Sequence, residues 1–342
     1  MASVSNRPII TSAWEDVCYP IYTTPFTNLV PDYELVATDR QQLVIGEPAG
    51  RKPVIFAVQS NEYSIIDNSM LRGVVDRLVT DYKLDIRCTP NGEFAINVIV
   101  PGETFKIGKQ TDTLSRSLVF NNSYNGKMPF KVQGTVVNTT TVEKHQKARM
   151  RISYYRQVCS NGLMGWSDEF MNLDDYLNWL LKGKPKKYKN AKEVKTSFQE
   201  AYTYQERIGE ESDLVLSRKF HHKGLNVAHF EQYLEKVIGQ FLSQKNGLTL
   251  KVYERMAKQP ITNERAEKLL VEAKLPKMLA RQAMARMAEE ERLLSSESNL
   301  WLLYNAANFT LFGAQASLSI NDRYRQDEAI FHELATLALT EN

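Results

Sequence analysis

The chain has 342 residues, enough to bury a sizeable core as one large or two modest domains. Its 43 lysines and arginines against 40 acidic residues leave a net charge of +3, a balance that permits a nucleic-acid partner without implying one. Cys18, Cys88 and Cys159 are far apart and odd in number, which argues against a disulfide framework or a cysteine zinc site and points to a reducing, cytoplasmic setting, in the host cell or carried in a virion. No stretch approaches the ~20 apolar residues that span a bilayer, and the N-terminus lacks the basic-then-apolar plan of a leader, so no membrane association is expected.

Residues 1–50 carry Pro8, Pro20, Pro25, Pro31 and Pro48, which forbid long helices and predict an extended, Pro-rich N-terminal arm with short strands. A sheet core is expected over 51–166. Val54–Val58 predicts a compact buried strand. Ser69 is expected to cap a helix running to about Tyr82, with Leu71, Val74, Val75, Leu78 and Val79 inward. Sheet follows: a strand over Lys83–Cys88, a turn at Pro90-Asn91-Gly92, a strand over Phe94–Val100, a turn at Pro101-Gly102, and strands near Ser117–Asn121 and Pro129–Gly134. Asn122–Gly126 reads as a tight turn, and Thr135–Thr141 as an exposed connection.

The chain is organised around Arg149–Trp166. Ile152, Tyr154 and Arg156 alternate against Ser153, Tyr155 and Gln157, the period of a two-faced strand made basic by Arg149, Arg151 and Arg156. Asn161-Gly162 ends it. Ser167 then caps a helix with Asp168 and Glu169 in its first turn and Phe170, Leu173, Tyr176, Leu177 and Leu180 on one face. From 167 to 342 the reading is mainly helical, interrupted by a Lys-rich loop over 182–195 that holds seven lysines against one glutamate. That loop reads equally as a phosphate-tracking patch, with Tyr188 available to stack on a base, or as a solvated linker. Helices are expected over Thr196–Ile208, Ala228–Leu242, Asn263–Leu275, Met278–Leu294, Ser298–Phe312 and Asp327–Leu337. The fold class is α+β: a sheet-rich N-terminal half, antiparallel, with a mainly α-helical C-terminal half packed against it.

Candidate chemistry is thin. Gly46–Lys52 is one residue short of a phosphate loop, and Pro53 stands where a magnesium-holding Ser or Thr belongs. His221, His222 and His229 lack a supporting carboxylate or cysteine, so exposed or partly packed histidines are the simpler reading and no metal site is assigned. Cys159 beside three arginines could be a nucleophile, but a small buried residue at a turn is its commoner role. Asp168, Glu169, Asp174 and Asp175 read as a solvated helix face. No catalytic residue and no cofactor is assigned.

Three motifs occur in order: Asn121-Asn122-Ser123-Tyr124-Asn125-Gly126-Lys127, the strand end Arg156-Gln-Val-Cys159-Ser-Asn161-Gly-Leu, and Asn299-Leu-Trp301-Leu-Leu-Tyr304-Asn305-Ala. Together they resemble the phage- and plasmid-borne family DUF932. There a Ser-(His/Tyr)-(Asp/Asn)-Gly turn precedes an Arg-x-Val-Cys-x-Asn-x-Leu strand end, and a Trp-x-x-Tyr-Asn-Ala helix lies near the C-terminus. The order and rough spacing match over most of residues 55–310. The departures are Asn125 where an acidic residue is common, Gly162 where Thr is common, and the lysine-rich insertion. The resemblance implies a mobile-element accessory role rather than a particular chemistry.

The expectation is therefore a non-enzymatic phage or mobile-element protein that binds nucleic acid, single-stranded DNA before double-stranded DNA or RNA, and that can form a homo-oligomer. The binding residues would be Arg149, Arg151, Arg156, Lys184, Lys186, Lys187, Tyr188 and Lys189, with Phe130, Tyr124, Tyr154 and Tyr155 as stacking aromatics on the sheet. Two other classes stand beside it: a virion-associated structural or host-interaction protein, and, with the least support, an enzyme acting on nucleic acid.

Overall fold

The computed structural model describes residues 8–29, 32, 40–108, 112–128, 130–138, 177–178, 181, 217–220, 225–243, 247–294, 296–313 and 318–340. Its centre is a six-stranded antiparallel sheet of β1 (Ile9–Thr11), β5 (Lys83–Cys88), β6 (Glu93–Ile107), β7 (Asp112–Ser123), β8 (Phe130–Asn138) and β9 (Ser217–Phe220), in that spatial order. A smaller sheet orders β2 (Ile21–Pro25), β3 (Gln41–Gly46) and β4 (Val54–Ser60). The helices are α1 (Asn68–Leu78), α2 (Val227–Ser243), α3 (Gly247–Lys258), α4 (Asn263–Glu272), α5 (Lys277–Leu294), α6 (Leu300–Gly313) and α7 (Ile320–Thr340). The α+β reading holds, with antiparallel sheets in the N-terminal half and helices in the C-terminal half.

The period of two in β5–β8 gives the central sheet two different faces. Ile86, Phe94, Ile96, Val98, Leu118, Phe120, Phe130 and Val132 share one core with Leu71, Val74 and Val75 of α1 and Phe230, Leu234 and Ile238 of α2. Ala95 and Val119 on the opposite face join a second core with α3–α7, centred on Tyr253, Trp301, Tyr304 and Phe331. The sheet is thus the middle layer between two helical layers. Within α6 nearly every side chain is buried, Phe309 being the half-exposed exception, because an almost wholly apolar helix can only be stable with neighbours on all sides.

Several sequence expectations change. Val54–Val58 does form a strand, but β4 is an outer strand, with Ile55 49 % and Val58 45 % exposed; the buried strand is β3, whose Leu43, Val44 and Ile45 are closed from solvent. Asp67, rather than Ser69, caps α1: its backbone is extended and its carboxylate accepts from the Ser69 N–H at 2.8 Å. The helix ends at Leu78, not near Tyr82.

No reversal occurs at Pro101-Gly102. β6 runs on to Ile107, and the register with β7 shifts between Val100 and Thr104, an irregularity that accommodates a residue with no N–H to give. Thr135–Asn138 are not a connection but the end of β8, paired with Leu114–Ser117. The last helix is longer than Asp327–Leu337 because Ser319 starts it: the Asp322 N–H donates to Ser319 Oγ at 3.1 Å and the hydroxyl returns a bond to the carboxylate at 2.7 Å. The Pro-rich stretch is not only an arm, since it supplies β1 to the large sheet and β2 and β3 to the small one.

Candidate functional site

The turn motif Asn121–Lys127 lies where the two sheets and α1 meet. Asn122 Nδ2 donates to the Ile66 carbonyl at 2.7 Å and to Asn68 Oδ1 at 2.9 Å, while its Oδ1 accepts from the Ser123 N–H at 2.9 Å. Asn68 Nδ2 reaches the Val17 carbonyl (3.1 Å), and the Asn68 N–H donates to Tyr124 Oη (3.2 Å). Ser123 Oγ donates to the Met128 carbonyl (2.9 Å) and accepts from the Met128 N–H (3.1 Å), closing the turn. Gly126 has φ +72°, the left-handed conformation that a glycine adopts without a steric cost. The motif is a buried tie rather than a reactive centre: Asn122, Ser123 and Tyr124 are closed from solvent.

Tyr124 packs edge-on against Phe94 at 4.8 Å and also against Phe56 and Tyr19. Phe130 is fully buried between Phe120 and Phe230. Neither ring can stack on a base, so two of the four sheet aromatics expected to do so are corrected to core residues.

At the other helical layer, Trp301 lies 4.7 Å from Tyr253, Tyr304 Oη donates to Asp327 Oδ2 at 3.3 Å, and Asn305 Nδ2 bonds back to the Trp301 carbonyl at 2.8 Å. All three of these α6 residues are buried. Arg149, Arg151, Arg156, Cys159, Asn161, Lys184, Lys186, Lys187, Tyr188 and Lys189 lie outside the described residues, as do Tyr154, Tyr155, His221 and His222. His229 is exposed on α2. Among the described residues no group of three or more His, Cys, Asp or Glu side chains could hold a metal, and no helix is long and apolar enough to cross a membrane.

Burial pushes the Cys18 and Cys88 thiols up to about 11. Burial raises the Tyr19, Tyr63 and Tyr124 hydroxyls as well. Protonated thiols are poor nucleophiles. Because these groups bind protons more tightly when folded, the stability they contribute is whole below the unfolded thiol value of about 8.5 and is lost as pH rises through about 11. Unfolding free energy is expected to be level from pH 7 to 8 and to fall on approach to pH 11, with both cysteines alkylated far more slowly at pH 8 in native than in denatured protein. Denaturation at stepped pH and mass spectrometry of the alkylated chain check this; rapid native labelling would contradict it.

The more suggestive arrangement is the sheet face turned toward α3–α7. In one cross-strand row Arg87 pairs with Ala95, Ala95 with Asn121, and Asn121 with Lys131. In the next row Asp85 pairs with Asn97 and Asn97 with Val119. Arg87 and Asp85 bond at 3.4 Å, and the Arg87 guanidinium lies 5.1 Å from the Phe312 ring centre. Burial, and then nearby Arg87, push the Arg323 guanidinium on α7 down from its usual range.

Asn97 is 2 % and Asn121 5 % exposed. Ser117 Oγ donates to Asn97 Oδ1, but Asn97 Nδ2 and Asn121 Oδ1 have no hydrogen-bond partner among the described residues. A buried polar atom left unpaired costs about 1–3 kcal/mol, so a donor and an acceptor side by side on one face call for an explanation. Sequence reading passed over this face. Its only signal was the polar Lys83, Asp85 and Arg87, and Ser115, Ser117, Asn121 and Ser123 with Val119 among them, at alternate positions, a pattern that equally describes a strand facing water. A separate open groove of about 390 Å³ between α4 and α5 is lined by Asn263, Glu264, Glu267 and Met284, with no converging set of reactive groups.

No known protein family, no curated protein and no solved structure matches this chain.

Proposed function

We propose that the protein is a non-enzymatic accessory of a phage or mobile element that binds nucleic acid, single-stranded DNA in preference to duplex or RNA, during replication, recombination or protection of DNA in the host cytoplasm. The observation that carries this reading is the run of seven lysines against one glutamate over 182–195, reinforced by Arg149, Arg151 and Arg156. Each lysine that neutralises a phosphate releases condensed counterions, so such a run gives affinity without sequence preference. The resemblance to DUF932 supports the mobile-element setting. With Tyr124 and Phe130 committed to the core, the electrostatic contribution carries more of the proposal than stacking does.

The test is binding to labelled single-stranded DNA, duplex DNA and RNA across a salt series, repeated with Lys184, Lys186, Lys187 and Lys189 changed to Glu. Wild-type affinity should fall steeply with salt. The quadruple variant should bind far more weakly, with the log–log salt slope on a single strand reduced by about 0.7 for each phosphate that is no longer neutralised. Unchanged binding by the variant, or none by wild type at low salt, overturns the reading.

A second reading, a structural or host-interaction protein, has one observation in its favour. Outer strands β1 and β4 expose Ile9, Ile10, Ile55 and Val58, and unpaired strand edges of this kind are templates for another chain. A stable oligomer by light scattering together with no affinity for any nucleic acid would select it.

A further inference from the structure

We propose that the groove between α4 and α5 is a docking site for another protein, and that its occupant is a short amphipathic helix with lysine or arginine beside its apolar stripe. The two helices form a hairpin through the turn Ala273–Pro276, where Lys274 takes the left-handed conformation at φ +64°. Ala266 and Leu270 of α4 and Leu279, Ala280, Ala283 and Met287 of α5 fix the hairpin in the core shared with α6 and α7, which leaves the opposite faces of both helices outward. Between those faces lies an open space of about 390 Å³, lined by Met284, Ala285 and Ala288 from α5 and by Asn263, Glu264 and Glu267 from α4.

The shape fits a helix. The two alanines are exposed and end at Cβ, so a partner helix can approach to the separation of about 8–10 Å at which helix axes pack. Helical periodicity continues the apolar strip toward the turn: Val271 follows Glu267 by one turn and Met278 precedes Ala285 by two, and they are 41 % and 59 % exposed. From Met278 to Ala288 the helix rises about 15 Å, room for about three turns of a partner.

Charge then selects the partner. Both charged residues that line the groove are acidic, and neither forms an ion pair among the described residues. Lys268, one turn from Glu264, pairs with Glu272 at 3.9 Å instead. Arg281 and Arg292 stand a turn beyond either end of the Met284–Ala288 floor, outside the lining. A phosphate backbone is repelled by such a wall, and a second copy presenting the same groove would set a hollow against a hollow. A basic amphipathic helix brings opposite charge to Glu264 and Glu267 while its stripe covers Met284 and the alanines. The inference concerns a protein partner and is independent of the lysine run.

The experiment selects, on the immobilised full chain, from a displayed library of helical peptides about four turns long, with leucine fixed along the stripe and Lys, Glu or Gln varied beside it. Fluorescence anisotropy then compares the enriched peptide on wild type, on Glu264→Lys with Glu267→Lys, and on Ala285→Gln with Ala288→Gln. Enrichment of lysine is expected, with affinity reduced about tenfold or more by either double variant. The same peptide with its lysines changed to glutamates should bind the charge-reversed variant better than wild type. All four substituted residues are exposed, so thermal unfolding should stay close to that of wild type.

An absence of enrichment, enrichment without preference for lysine, or a selected peptide that binds both double variants as tightly as wild type overturns the proposal. Two further outcomes assign the groove elsewhere and also overturn it. Tighter peptide binding when Lys184, Lys186, Lys187 and Lys189 are changed to Glu would make the chain's own lysine segment the occupant. A dimer by light scattering that the two glutamines dissociate would make it a second copy. Unchanged peptide binding by the lysine-to-glutamate variant, whatever its affinity for DNA, supports the inference.

Discussion

Replacing Asn122 by alanine lowers the unfolding free energy by about 3 kcal/mol or more, with no change in the denaturant slope. The carboxamide removed is the donor to the Ile66 carbonyl and to Asn68 Oδ1 and the acceptor of the Ser123 N–H. Asn68 and Ser123 are fully buried, as is the Ile66 side chain, so water cannot readily take over these bonds. Each abandoned group costs about 1–3 kcal/mol, and three are created by one substitution. The damage spreads because Asn68 is the residue through which α1 holds the Val17 carbonyl and Tyr124. Asn125→Ala serves as the contrast: it sits at the half-buried turn tip, with bonds from the Lys127 N–H at 2.9 Å and to Glu93 at 3.3 Å, and should cost about 1 kcal/mol or less. Urea denaturation followed by circular dichroism compares them, and equal small losses would show that Asn122 is not the tie.

Trp301→Ala is the second large effect, about 3–5 kcal/mol. Trp301 is 3 % exposed in a core where Tyr253 is the hub: the Trp301 ring lies 4.7 Å away, Phe331 meets Tyr253 edge-on at 5.9 Å, and Tyr304 stacks at 6.1 Å. Truncation leaves a cavity that α6 cannot close, because its remaining turns are already packed by α3, α5 and α7. Trp301→Phe keeps most of the apolar area and should lose much less. Since Asn122 lies in the layer with α1 and Trp301 in the layer with α3–α7, the double variant should show nearly additive losses; strong coupling would mean the sheet transmits strain between its two faces.

Neither variant tests the lysine segment or the amides on the sheet. A stable protein with reversed lysines and an unstable one with intact lysines therefore separate binding from folding. Gly92 illustrates the same distinction in miniature. It turns β5 into β6 at φ +76°, and a Cβ there would meet the Phe56 ring at 2.7 Å, so its constraint is one of fold alone.

What the sequence determined was whatever depends on neighbours along the chain. Alternation in Lys83–Cys88 and Phe94–Val100 defined strands, Asn91-Gly92 and Asn125-Gly126 defined turns, and the spacing of Phe230, Tyr233, Leu234, Val237 and Ile238 defined the buried face of α2. Local signals were misread where a longer-range partner decided the outcome. The chain continues through Pro101-Gly102 because β7 is there to pair with, Thr135–Asn138 extend because Leu114–Ser117 receive them, and Ile55 and Val58 are exposed because β4 has no strand beyond it among the described residues.

The polar face was decided by tertiary structure alone. Asp85, Arg87 and Asn97 alternate with apolar residues as they would on any strand that faces water, Ser117 and Asn121 stand beside other polar residues, and nothing local states that a layer of helices more than a hundred residues later closes over them. That closure turns an ordinary solvent-facing pattern into buried amides with unmade bonds. The physical reason is that alternation records which residues share a side of a strand, while burial depends on what the rest of the chain brings to that side.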